Sequence, residues 1–529
     1  MKKIKYYFIN VIYPAIIIPL IVGFVVGIIV FFYKYIWDLL FKEGLTIYDK
    51  IIDNKVLILV AILFILLFSY IQTVIIKFVP ESKGGGIPTS EGIVRGALST
   101  NPYFTSVAAI FLSYISIFSG ISLGSEGPSV LLGTTVSNML YKLLPKSKRA
   151  YKRYIMTSGA STAFAIATGA PITGILFSLE EIHKKFSPMI LFVTFLSVIS
   201  GSLVDYFLSN KFGVSIKMFD NLNVESVSLS KTYIFILLGL IVGLFAILYS
   251  KLIQFFKYII DVKTIKINNY FKILLTFLLS FIIGLILRDT LGGGHSLIEK
   301  LFEIDFSMKI LIIYFLIKLI LITYSSQSNV TGGLFVPTLT LGALIGAIFT
   351  KIFNLEEYKL LIISVSIVSF MGSSIGCPLS AILFAIETLD GINNSLIIII
   401  TIFISYTLFS ITKTSHIYDI ILERKLKNKY DNKDFLIIES NLIVSPSAFA
   451  IGKQTRDLLL PPNMKIIFIQ RYNKDHSKMD NKGEKVIEKF DSIVIHAQTY
   501  DIDKTKYEIE SFFGEQEDFK YNIIQKKIY

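Results

Sequence analysis

Gly124-Ser125-Glu126-Gly127-Pro128 interrupts a hydrocarbon-like stretch that runs from Val107 to Ser119 on one side and from Ser129 to Leu144 on the other. A carboxylate at membrane depth is costly, and by default it marks a functional site. Backbone broken by glycine and proline at that depth is tolerated only where protein or a cavity surrounds it. Both exceptions fall within these five residues. The fold reading starts from them.

The composition is that of a membrane protein. Apolar residues make up 53% and charged residues 17%, with a mean hydropathy of +0.65; soluble domains carry roughly 25% charged residues. Runs about as long as a bilayer-spanning helix requires recur at Tyr13–Tyr33, Val56–Val79, Tyr233–Phe256, Phe271–Leu287, Ile310–Tyr324 and Leu396–Ile411. The first run is too long for a signal peptide, lacks a small-residue cleavage site and is followed by further spans. The net charge of +13 sits mainly in this membrane part, as bases flanking spans on the cytoplasmic side do. Lys2, Lys3 and Lys5 place the N-terminus inside. No basic stripe interleaved with aromatics is present, so nucleic acid is not an expected partner. The single cysteine, Cys377, allows neither an intrachain disulfide nor a thiolate metal site and reads as a small core residue.

The chain repeats itself. Gly84-Gly85-Gly86 returns as Gly292-Gly293-Gly294, an offset of 292 − 84 = 208, and the Gly124 break lines up with Gly332-Gly333-Leu334-Phe335-Val336-Pro337 at 332 − 124 = 208. Gly169-Ala170-Pro171 with Glu180 matches Gly376-Cys377-Pro378 with Glu387 at 376 − 169 = 207. Residues near 10–210 and 225–420 therefore read as two copies of one unit. Duplicated halves with interrupted helices at matching places predict a midplane site built from broken helices. A helix that starts inside the membrane directs free N–H groups and about half a positive charge at whatever lies before it. Neither Ser125-Glu126-Gly127 nor Leu334-Phe335-Val336 contains a base, which favours a small dehydrated anion held by dipoles over a phosphate held by cations.

From Lys425 the composition changes. Lys425-Leu426-Lys427-Asn428-Lys429-Tyr430 opens a charged linker over 425–434, ahead of short β-type runs at Phe435–Glu439, Lys465–Arg471, Lys485–Ile487 and Asp491–His496. Helices are expected near Gly452 and over Asp503–Phe512, which gives a small α+β domain across 435–515. Residues 516–529 are expected as a frayed tail. The fold expectation is thus an all-α polytopic membrane domain over 1–424 with a small α+β cytoplasmic domain behind it.

Taken together, Gly84-Gly85-Gly86-Ile87-Pro88, Gly124-Ser125-Glu126-Gly127-Pro128, Gly333-Leu334-Phe335-Val336-Pro337 and Tyr418 in Ser415-His416-Ile417-Tyr418 resemble the CLC family of chloride channels and chloride/proton exchangers. The resemblance covers nearly all of the membrane part. It implies two inverted-topology repeats per subunit, a homodimer with one pore in each subunit, and chloride or a related small anion together with protons as the transported species. It places the gating, proton-carrying glutamate at Glu126. It gives the anion site the backbone N–H groups of Gly85, Gly86, Leu334 and Phe335 and the hydroxyl of Tyr418. Glu181, just before His183-Lys184-Lys185, stands where exchangers of the family carry the internal proton glutamate. The resemblance departs at Gly85, where the family usually has a serine whose hydroxyl contacts chloride, and at Ser125, where many members have a base. The tail, through Gly452-Lys453-Gln454-Thr455-Arg456-Asp457-Leu458-Leu459-Leu460-Pro461 and Ile466-Ile467-Phe468-Ile469-Gln470-Arg471, resembles the TrkA-C regulatory domain. Some domains of that type bind small nucleotides.

The leading expectation is a chloride/proton antiporter of the bacterial cytoplasmic membrane with both termini cytoplasmic. A passive chloride channel of the same fold, gated by Glu126, and a membrane-anchored ligand sensor acting through the tail stand beside it. No nucleophile–base pair, metal cluster or phosphate loop points to an enzyme or a cofactor. Taken without its motif neighbours, Tyr418 would equally suit an interfacial tyrosine; the break at His295 reads as structural, and Lys142, Lys146, Lys148, Arg149, Lys152 and Arg153 read as a solvated loop. Lys453, Arg456 and Arg471 read as surface charges, with a nucleotide pocket the lesser alternative.

Overall fold

The apolar runs fold as helices that bury glycine-marked faces against one another. The computed structural model describes residues 8–527 except 145–149, 220–221, 223, 263–267, 431–434, 462, 472–484 and 517–518. Lys146, Lys148 and Arg149, the basic N-terminal residues, Asp431–Asp434 in the linker and Ile528-Tyr529 therefore lie outside the described residues.

The first repeat comprises α1 (Ile18–Asp53), α2 (Leu57–Phe78), α3 (Gly86–Val94), α4 (Pro102–Phe118), α5 (Glu126–Leu140), α6 (Lys152–Thr168), α7 (Pro171–Phe177) and α8 (Pro188–Phe212). The second comprises α9 (Thr232–Val262), α10 (Asn269–Ile286), α11 (His295–Glu303), α12 (Met308–Gln327), α13 (Phe335–Phe353), α14 (Lys359–Ile375), α15 (Pro378–Thr388) and α16 (Ser395–Ile411). Helix α17 (Ile417–Tyr430) follows. Among the described residues, nine helices are long and apolar enough to cross a membrane.

Small residues set the packing. A Cβ on Gly23 of α1 would lie 2.0 Å from the Ser197 carbonyl oxygen of α8, and one on Gly133 of α5 would lie 2.2 Å from that of Gly159 in α6. Such approaches let helix backbones touch where the hydrophobic effect contributes little to association. The Gly-x-Pro motifs are stop–start signals: α6 ends on Gly169 (φ 65°) and α14 on Gly376 (φ 97°), and Pro171 and Pro378 open the next helices.

The two repeats meet at their breaks. Gly124 N–H donates to the Gly333 carbonyl at 2.8 Å and Gly333 N–H to the Gly124 carbonyl at 2.7 Å, a short antiparallel bridge between the two broken segments. The helices after the breaks start at Glu126 and Phe335, so the structural offset there is 335 − 126 = 209, one residue more than the glycines alone suggest. The prolines keep the same offset, 337 − 128 = 209.

The C-terminal domain is a four-stranded antiparallel sheet in the order β2-β3-β1-β4, built from β1 (Phe435–Ile443), β2 (Met464–Gln470), β3 (Ser492–Thr499) and β4 (Tyr521–Lys527). Helix α18 (Ile502–Phe513) belongs to the same unit. Alternation along β3 buries Ile493, Ile495, Ala497 and Thr499. Sequence expectation missed four details here. The 425–430 segment continues α17, with Arg424 and Lys425 buried, instead of opening a linker. Residues 521–527 pair with β1 rather than fray. Lys485–Ile487 contributes only an isolated bridge, Val486 with Gln454, and the helix expected near Gly452 shrinks to the single turn Thr455–Asp457.

This domain shares a hydrophobic cluster with the membrane part. Arg153 donates to the Leu459 carbonyl, Tyr154 Oη donates to the Asp457 carbonyl at 2.8 Å, and Tyr151 meets Phe449 edge-on at 4.8 Å. Arg153 is therefore a docking residue and not part of a solvated loop.

Candidate functional site

Three helix starts come together at the breaks. A Cβ on Gly86 would fall 1.9 Å from the Gly127 carbonyl oxygen, and one on Gly127 would fall 2.7 Å from the Gly333 Cα. The N-termini of α3, α5 and α13 are thus in backbone contact, and no side chain caps any of them. An uncapped helix start leaves first-turn N–H groups needing an acceptor, and the aligned dipoles favour negative charge there. Gly86, Leu334 and Phe335 are all buried.

Phe335 is fixed by a ring cage: edge-on to Phe164 at 4.9 Å, to Phe177 at 6.0 Å and to Phe384 at 5.7 Å. Behind it, Thr338 Oγ1 donates to the Leu334 carbonyl at 2.7 Å, so that carbonyl is occupied by its own helix. Tyr418, on α17, is buried and its hydroxyl has no hydrogen-bond partner. Gly85 has an ordinary extended conformation, φ −66° and ψ 128°, and a Cβ there would meet only the Pro88 ring, at 3.3 Å. A side chain there needs that ring to yield by a few tenths of an ångström.

Glu126 is 3% exposed and opens α5. Its Oε1 accepts the Ser125 hydroxyl at 3.1 Å, while Oε2, lying against Gly124, has no partner. A buried carboxylate with one orphaned oxygen is unstable as an anion unless it changes place or gains a proton.

Glu181 lies in a widened π-type turn after α7 and is 2% exposed. Although His183-Lys184-Lys185 follow at once, the carboxylate itself is enclosed. Lys184 Nζ stands 3.7 Å from Glu181 Oε1, 3.3 Å from Glu91 Oε1 and 2.5 Å from Asp419 Oδ1. Glu91 also pairs with Arg95 at 2.5 Å. Glu91 belongs to α3 and Asp419 to α17, so the cluster joins Glu181 to a helix that starts at the breaks and to the helix that carries Tyr418. The adjacent Glu180 is committed elsewhere: it accepts from Leu379 N–H (3.1 Å), Ser380 N–H (2.7 Å) and the Ser380 hydroxyl (2.5 Å), capping α15. Its repeat partner Glu387 caps α7 in the same way through Ile172 and Thr173.

The motifs did not lead to Lys318. This lysine lies in α12, fully buried, and donates to Ser122 Oγ at 2.9 Å and to the Gly292 carbonyl at 2.8 Å. Gly292 belongs to the second triple glycine, and Ser122 precedes the Glu126 break. A base therefore stands one layer behind a cage whose own segments contain none. The signal was available: a lone ammonium inside the apolar run Ile310–Tyr324. Glu91, Lys184 and Asp419 were also missed, because single charges acquire meaning only once the fold gathers them.

His295 stacks on Phe219 at 5.2 Å and bonds the Met218 carbonyl, a structural arrangement. Among the described residues, no three His, Cys, Asp or Glu side chains form a metal-binding group. In the tail, Lys453 turns onto the Phe449 carbonyl at 2.5 Å, Arg456 onto Gln454 at 2.8 Å and Arg471 onto Glu488 at 2.8 Å. These bases serve their own domain.

The sequence model of the family described as "Voltage gated chloride channel" matches residues 68–410. Similar solved structures include a slow cyanobacterial Cl−/H+ antiporter (TM-score 0.73, 19% identity, covering 79% of this chain and 99% of the other). A eukaryotic CLC transporter gives a TM-score of 0.64 at 19% identity, covering 77% and 74%. A CLC-type fluoride/proton antiporter gives 0.63 at 21% identity, covering 76% and 96%.

Proposed function

The chain belongs to the voltage gated chloride channel family, and on that premise we propose that it is a secondary active transporter exchanging chloride, or a related small anion, for protons. The observation that carries this reading is the convergence of three uncapped helix N-termini beside a buried glutamate with an unpaired oxygen. Glu126 carboxylate and a dehydrated anion compete for the same N–H groups. When the anion enters, Glu126 leaves the cage and takes a proton; when it loses the proton, the carboxylate returns and displaces the anion. Glu181, held by Lys184 amid Glu91 and Asp419, relays protons from the opposite side. The N–H groups of Gly85, Gly86, Leu334 and Phe335 and the Tyr418 hydroxyl coordinate the anion. Two of the three similar structures are antiporters of a halide and a proton, which supports coupling. The exposed apolar faces of α7, α8, α15 and α16, with Ile172, Phe192, Phe195, Leu379 and Phe403, suit a homodimer in the bilayer. The tail serves as a TrkA-C-type regulatory domain on the cytoplasmic side of a bacterial membrane, its nucleotide ligand the lesser expectation.

Purified protein in liposomes under a chloride gradient, with chloride and pH recorded together, tests the reading. Protons should move against their own gradient. Glu181→Gln should abolish proton movement and leave anion flux, whereas Glu126→Gln should stop proton coupling and remove the pH dependence of the flux. Chloride movement with no uphill proton movement in the parent protein would establish the passive channel instead.

A further inference from the structure

A cavity of about 280 Å³ lies between the C-terminal domain and the membrane helices. One wall is α18, with Lys504 and Glu508. The other is made by the loop after α3, including Thr100, by Asn138 at the end of α5, and by Lys152 and Arg153 at the start of α6. Its lining thus holds three cations against one carboxylate.

The electrostatics are one-sided for a structural reason. Lys152 and Arg153 fall in the first turn of α6, which contains no acid. Bases there oppose the helix dipole, which favours negative charge at that end. Lys504 approaches from the facing domain and adds to the same positive field. The Thr100 hydroxyl and the Asn138 amide supply neutral donor groups. A site of this kind gains by accepting an anion with several oxygens, since charge-assisted hydrogen bonds to Arg and Lys are stronger than neutral ones. The volume lies just below the range of about 300–1,000 Å³ for drug-sized ligands, which suits a phosphate or pyrophosphate group.

We propose that this cavity is a binding site for a phosphate-bearing group, drawn either from a soluble phosphorylated molecule or from the headgroup of an anionic lipid. The walls give the site a further consequence. Helices α3 and α5 begin at Gly86 and Glu126 and end at this cavity, so an occupant ties α18 to the far ends of two of the three helices whose starts meet at the breaks.

Titration calorimetry of the full-length protein in detergent, at constant chloride, with inorganic pyrophosphate reads the soluble source. Native mass spectrometry with phosphatidic acid against phosphatidylcholine reads the lipid source. Saturable pyrophosphate binding, or selective retention of phosphatidic acid, weakened about tenfold or more by Lys504→Glu and by Lys152→Gln, is the expected result, since one lost hydrogen bond to a charged group is worth about that factor. Lys465→Glu on the exposed face of β2 should change neither. Absence of both signals in the parent protein, or a signal that persists undiminished in both cavity variants, overturns the proposal. Binding is read without flux, so this result stands apart from the transport reading.

Discussion

At the residue scale, the site consists of polar groups placed where water is absent. Glu126 was legible because a carboxylate between glycine and proline in hydrocarbon has few structural reasons to exist. Tyr418 was legible only through its neighbouring motifs, since one tyrosine in an apolar sequence has many. Gly85 shows a gap that a sequence can reveal but cannot measure. A Cβ there would press on the Pro88 ring at 3.3 Å, so the ring must yield by a few tenths of an ångström. With that small shift Gly85→Ser should add one donor to the cage, strengthening chloride binding by about 0.5–1.5 kcal/mol, up to about tenfold; chloride competition against a second anion in flux assays measures it. Lys318 poses a different question. Its partners are two neutral oxygens, and a buried cation without a carboxylate is not retained for stability. Lys318→Met should leave the unfolding midpoint unchanged or higher while raising the chloride concentration needed for half-maximal flux several-fold. An unchanged chloride dependence would assign the lysine to packing alone.

At the element scale, short helices serve as electrodes and as clamps. The N-termini of α3, α5 and α13 are left without side-chain caps and face the breaks, while those of α7 and α15 are capped with unusual thoroughness by Glu387 and Glu180. The contrast separates function from structure among acids that look alike in the sequence. Glu180 and Glu181 are neighbours, yet one satisfies a helix start in the other repeat and the other remains without a hydrogen bond at Oε1. Periodicity could not distinguish them, because the π-type turn rotates successive side chains by less than an α-helix does. Glu180→Ala and Glu387→Ala should each lower stability by about 0.5–2 kcal/mol, read as thermal unfolding in detergent, with proton coupling retained in both. Loss of coupling in Glu180→Ala alone would show that its role extends beyond the cap. The repeat itself was legible from glycine and proline spacing; its register was one residue off at the break, since glycine runs permit a shift that the first helical residue does not.

At the scale of the whole molecule, one hydrophobic cluster runs from the first repeat into the tail. The sequence located the domain's β-rich character but not its attachment, because Arg153, Tyr151 and Tyr154 contact residues some 300 positions away. Removing residues 434–529 should leave anion flux and proton coupling intact in liposomes, while lowering thermal stability as those three side chains lose their partners. Loss of all flux would place the tail within the transport machinery. The Gly124–Gly333 bridge has a broader implication. Each break obtains two backbone hydrogen bonds from the other, and α7 and α15 each take their cap from the opposite repeat. Neither half could close its own backbone alone in lipid. Each half therefore depends on the other for its fold, and separating them would expose the same backbone groups in both.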